Sequence, residues 1–170
     1  MKDTFSISES SITFDSLRKE LSRDKPYFQE LYNADILVLP YKSFKEYNSP
    51  VFSEETESFV YHAKNELLNK PANIELFMQD DKYEELELHA DTVNIPLLIW
   101  DYLVHPIAIG LVVNYVTGLI KQRNQQVDIK LESIITKNEK SRKISFSGSI
   151  NDWKEAMESL PKDFWDDDIK

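Results

Sequence analysis

The sequence predicts an α+β fold: a mostly antiparallel sheet, built from two hairpins, packed on one long and very apolar helix. Three observations carry this expectation. The first is Asn94 to Arg123, where Asp101 is the one charged side chain between Ile95 and Ile120. The second is Ile74–Met78 and Glu84–Ala90, which alternate apolar and polar residues around Asp80-Asp81-Lys82 and so read as a hairpin. The third is Val127–Glu132 followed by Ile144–Ile150, alternating segments joined by the loop from Lys137 to Arg142, a second hairpin.

In the apolar stretch, proline lacks an amide hydrogen and clashes with the preceding turn, so no helix runs straight through both Pro96 and Pro106. Pro106 suits the first position of a helix, where its missing donor costs nothing. That helix continues to Ile120 and ends in Lys121 and Arg123, cations that suit the negative end of the helix dipole. It is apolar almost all round, which predicts burial. The uncharged run 102–120 is close to the roughly 20 residues that cross a bilayer. The core helix of a soluble domain is the reading adopted, with a membrane span as the alternative. Gly110, Asn114 and Gly118 recur every four residues and form a small helix-packing face that permits close backbone approach.

The remaining elements follow in order. Residues 4–8 read as a short strand or an arm. Thr13 or Ser11 caps a helix through about Ser22, with Phe14, Leu17 and Leu21 on one face. Pro26 opens a short helix through Leu31, and Ala34–Leu39 reads as a buried strand stopped by Pro40. Ser53, with Glu54, Glu55 and Glu57 in the first turn, starts a helix to about Asn69 that turns Phe59, Ala63 and Leu67 inward. Asn151 or Ser149 caps a last helix with Trp153, Ala156, Met157 and Leu160 along one stripe, closed by Pro161.

A chain of 170 residues suits a single domain over 1–170, with an N-terminal helical segment (1–33) and an acidic, aromatic tail (161–170). The formal net charge of −10 argues against a general nucleic-acid binder, since phosphate contact needs clustered cations. Without cysteine there is neither a disulfide framework nor thiolate catalysis. Three glycines leave no phosphate-binding glycine loop, and the N-terminus lacks an apolar signal core, which favours the cytoplasm.

Chemistry-bearing patterns are sparse. His62, His89 and His105 fall on three different elements, and no metal or cofactor is expected. His89-Ala90-Asp91 is the one close histidine–carboxylate pair, and a metal-assisted hydrolase or nuclease using His89 and Asp91 is the enzymatic alternative. In the tail, Phe164 and Trp165 precede Asp166, Asp167 and Asp168. The rings either fold back on the domain or fill a partner's pocket, with the acids pairing to a basic rim. Cations gather between Lys121 and Lys143, while the tail and the first hairpin are acidic; such segregation steers a partner or self-association.

The order of a strand hairpin, an apolar helix ending in Lys121-Gln122-Arg123, an alternating strand pair and a short helix resembles the effector-associated constant component of bacterial conflict systems. The resemblance covers about residues 74–160. It implies an accessory protein that couples or restrains an effector, and it carries no catalytic residue. The functional expectation is therefore a non-enzymatic adaptor or regulatory partner acting through protein–protein contacts.

Overall fold

The computed structural model describes residues 4–41, 51–78 and 92–160. The fold is α+β, but its sheet is mixed rather than mostly antiparallel. In chain order the elements are β1 (Thr4–Ser10), α1 (Phe14–Glu20), α2 (Phe28–Tyr32), β2 (Ile36–Leu39), α3 (Thr56–Glu66), β3 (Ile74–Leu76), β4 (Val93–Asn94), β5 (Leu97–Asp101), α4 (His105–Arg123), β6 (Ile129–Lys137), β7 (Lys140–Gly148) and α5 (Ile150–Glu158). The strands lie in the order β1-β7-β6-β5-β2-β3, with the two-residue β4 also on β6.

Two pairings are parallel for a reason visible in the chain. β2 reaches β3 through α3, and β5 reaches β6 through α4. A helix between two strands returns the chain to its starting side, so the second strand runs parallel to the first. Of the expected hairpin over Ile74–Ala90, the first strand is present as β3, which pairs in parallel with β2, and residues 79–91 lie outside those described. The second expected hairpin is present as β6–β7, but its connection is a two-residue turn. Asn138 and Glu139 both take positive φ, 51° and 68°, as a type I′ turn requires. Residues 4–8, read as a short strand or an arm, belong to β1, which pairs antiparallel along its whole length with β7.

Helices cover both faces of the central strands, which is why Ile36–Leu39 and Leu97–Trp100 are continuous apolar runs rather than alternating ones. One face places Ile36, Val38, Leu98, Trp100, Leu131 and Ile135 in a core with α3, α4 and α5. The other places Leu37, Leu39, Ile99 and Ile134 against Leu17, Leu31 and Ala34 from the α1–α2 region. Burying one such large side chain contributes roughly 1.5–3 kcal/mol.

Local chemistry sets the helix ends. Thr13 Oγ1 accepts the Ser16 N–H at 3.0 Å while Ser16 Oγ accepts the Thr13 N–H at 2.9 Å, a reciprocal cap that starts α1. Ser149 Oγ accepts the Asp152 N–H at 3.2 Å and starts α5. Pro106 occupies the first turn of α4, and Asn124, in the left-handed region at φ 54°, closes it. α4 turns Ala108, Ile109, Leu111, Val112, Tyr115 and Val116 inward.

Candidate functional site

Three features are assembled by this framework: a cleft, a polar seam between two helices, and an open sheet edge. The cleft, of about 320 Å³, lies where the parallel strands β5 and β6 end. Asp101 closes β5 and Thr136 lies opposite it in register on β6. Asp15 and Arg18 reach the cleft from α1, Asp35 from the start of β2, and Glu139 from the β6–β7 turn. Leu103, 87% exposed, stands at its edge.

The polar groups of the cleft are largely committed to holding the chain. Asp101 Oδ1 accepts the Leu103 N–H at 2.9 Å, and its Oδ2 lies 3.5 Å from Thr136 Oγ1. Asp35 Oδ2 accepts the Asn73 N–H at 3.0 Å, while Asn73 Oδ1 accepts the Asp35 N–H at 2.9 Å, a reciprocal clasp beside the β2–β3 pair. Arg18 donates from Nε to the Tyr32 carbonyl at 3.1 Å and lies over the rings of Phe14 and Tyr32. With four carboxylates and one guanidinium, the cleft favours cationic groups over anionic ones.

The seam joins α3 to α4. Glu55, at the N-cap position of α3, accepts the Tyr115 hydroxyl at Oε2 and faces the Arg123 guanidinium at 3.8 Å. Burial and the Glu55 carboxylate push the Tyr115 phenol well above its ordinary value, while Ser58 and Arg123 act the other way. His62 sits edge-on to the Tyr115 ring at 5.5 Å, and Glu66 Oε1 accepts from Asn114 Nδ2. Glu55, Ser58, His62 and Glu66 thus follow one another at helical spacing along one side of α3.

The edge is β1. Among the described residues no strand pairs with its outer side, and it carries neither lysine nor proline, the usual guards of an open edge. Phe5 and Ile7 are 40% and 42% exposed. They lie in register with Phe146 and Ile144 of the buried core, so the apolar face of the sheet continues to its rim.

His89 and Asp91 lie outside the described residues, as do Phe164, Trp165, Asp166, Asp167 and Asp168. On the small face of α4, Asn114 and Gly118 are exposed, and among the described residues a Cβ added at Gly110 or Gly118 meets nothing from other elements within 4 Å. Among the described residues no backbone uses that face for close approach, because α3 lies against α4 through the longer Tyr115, Asn114 and Arg123 side chains. Sequence reading missed the seam. Its signal was the polar series Glu55, Ser58, His62, Glu66 running beside the apolar series Phe59, Ala63.

Compared with known proteins, the chain matches no family model, no curated protein and no solved structure.

Proposed function

We propose that this protein is a non-enzymatic adaptor or regulatory partner, acting through contacts with another protein chain, and that it serves as an accessory component of a bacterial defence system in the cytoplasm. The observation that carries the reading is the β1 edge, seven residues long, without lysine or proline, unpaired on its outer side among the described residues and bearing the exposed Phe5 and Ile7. Such an edge accepts an extended segment of a partner as one more strand: backbone hydrogen bonds supply affinity and alternate side chains supply selectivity. The defence setting rests on the resemblance of the sequence order over about residues 74–160, a strand hairpin, an apolar helix, an alternating strand pair and a short helix, to the effector-associated component.

The test is co-purification from the native host with Ile7→Lys and Phe5→Glu variants. Both positions are partly exposed, so the expected result is a melting temperature close to wild type with the partner lost. Retention of the same partner by both variants would exclude the β1 edge as the binding surface.

A second reading rests on α4. Tyr102–Arg123 is long and apolar enough to cross a bilayer, and 39% of its most apolar window is buried by the rest of the chain. Recovery of the protein solely with detergent, from the membrane fraction, would favour that reading over the adaptor in the cytoplasm.

A further inference from the structure

β1 ends the strand order, and among the described residues its outward backbone N–H and C=O groups meet no further strand. Its side chains divide by face. Phe5 and Ile7 stand opposite Phe146 and Ile144 of the core, while Ser6 and Ser8 stand opposite Ser145 and Lys143 on the other face. Glu9, the one charged residue of the strand, stands opposite Arg142 of its own chain. Thr4 to Ser8 is thus an uncharged, alternating segment on an open edge.

Such an edge can meet its own copy in few registers. Two copies of one strand run antiparallel across a two-fold axis perpendicular to the sheet, so one residue faces itself and its neighbours face each other in reverse order. Centred on Ile7, the pairing sets Phe5 against Glu9; centred on Ser8, it sets Ile7 against Glu9. Ser6 is the one centre that sets both apolar residues against apolar residues: Phe5 meets Ile7 twice, Thr4 meets Ser8 twice, and Ser6 meets Ser6. Phe5 with Ile7 is an aromatic–β-branched cross-strand pair, a favourable combination on a sheet. The apolar row then runs unbroken from Phe146 and Phe5 of one chain to Ile7 and Ile144 of the other. Charge points the same way. Each chain carries a net −10, so broad faces of two copies repel, whereas Thr4–Ser8 brings no carboxylate against another.

We propose that β1 pairs antiparallel with β1 of a second copy, centred on Ser6, and that this homodimer is the resting form of the protein. The inference rests on the reading of β1 as the partner-docking edge and adds its regulation. A partner's strand and the second copy compete for the same backbone groups, so the apparent affinity for the partner falls with the fraction of chains whose edge is free. The contact is one strand wide, which suits an interface that must open for exchange.

The chain has no cysteine, so a single introduced thiol reports the register in the purified full chain. Ser6→Cys sets two thiols directly opposite each other, with Cα atoms roughly 4.5–5.5 Å apart and within disulfide range. Ser8→Cys sets them roughly 13 Å or more apart, out of range. Under mild oxidation Ser6→Cys should form a disulfide dimer at least about tenfold faster than Ser8→Cys. Light scattering of the wild type over a concentration series should rise from 19.9 kDa toward twice that mass. Ile7→Lys enters the contact twice and should weaken association about tenfold or more. A wild type that stays at 19.9 kDa overturns the proposal, as does a dimer that Ile7→Lys leaves unchanged. Equal cross-linking of the two thiol variants, the mark of random collision, overturns it too. Those failures leave the adaptor reading standing, since that reading is tested by loss of the host partner. A dimer cross-linked through Ser6→Cys, with the host partner retained by both edge variants, supports the homodimer and removes the adaptor reading of the edge.

Discussion

The indole N–H of Trp100 donates to Nδ1 of His105 at 3.0 Å, so the opposite nitrogen, 3.1 Å from the Met157 carbonyl oxygen, carries the ring's proton and donates to it. One neutral imidazole thereby joins the end of β5, the start of α4 and the C-terminal part of α5. The ring also stacks on Tyr102, over which the Lys137 ammonium sits at 5.0 Å.

Acid should loosen this junction. Burial lowers the His105 pKa from its ordinary 6.5, and the bond to Met157 opposes that shift in part. A depressed histidine pKa means that the unfolded chain binds the proton first. The His105 contribution is therefore complete above about pH 6.5 and is lost as pH falls through the folded-state value. Urea midpoints should decline below pH 6.5, by up to about 1.4 kcal/mol per pH unit. His105→Leu should flatten that decline while costing about 1–3 kcal/mol at pH 7.5, because the Trp100 N–H is left unpaired. An unchanged acid slope in the variant would refute the assignment.

Val112 is fully buried on α4, whereas its neighbour Val113 is only partly covered. Val112→Asp should abolish the cooperative thermal transition, since an unpaired buried charge costs several kcal/mol, comparable with the stability of a whole domain. Val113→Asp should fold with a lowered melting temperature. Similar losses in both variants would mean that α4 does not lie on the sheet by the Val112 face.

How much of this was legible in the sequence depended on which signal each element left. Pro106 and the cations Lys121 and Arg123 bounded α4 almost to the residue. Phe59, Ala63 and Leu67 declared the inner face of α3 by spacing alone, and all three are buried. Strand direction left weaker traces. The Leu97–Asp101 strand is buried on both faces and shows no alternation, so its parallel partnership with β6 could be inferred solely from the intervening helix. The cleft and the seam were invisible for a different reason. Asp35 meets Asn73, and Glu55 meets Tyr115, across separations that no local pattern records.

The β6–β7 turn holds a stabilising opportunity. Glu139 sits at φ 68°, where a Cβ is crowded and glycine is not. Glu139→Gly converts the turn to Asn-Gly, the preferred type I′ pair, and should raise stability by about 0.5–1 kcal/mol in a thermal scan. A lowered melting temperature would show that the Glu139 side chain contributes more than its backbone costs.

Tyr115→Phe should remove the bond to Glu55 while preserving the edge-to-face contact with Phe59 at 5.4 Å. The expected loss is about 1–2 kcal/mol at neutral pH. The raised phenol pKa gives a second readout, because its contribution is present below about pH 10 and is lost as pH rises further. The variant should therefore show a shallower alkaline decline than wild type in urea titrations at pH 9–11.

The pairing of β1 with β7 sets an order on synthesis. Thr4 finds its partner in Ser147, so β1 leaves the ribosome long before the strand it pairs with. At about 5–20 residues per second that interval is on the order of ten seconds or more. Throughout it, both edges of Thr4–Ser10 are bare, with Phe5 and Ile7 uncovered by Phe146 and Ile144. The nascent chain thus holds an unpaired strand bearing Phe5 and Ile7 until β7 emerges, and a chaperone that masks those seven residues over that interval would protect it from misassociation.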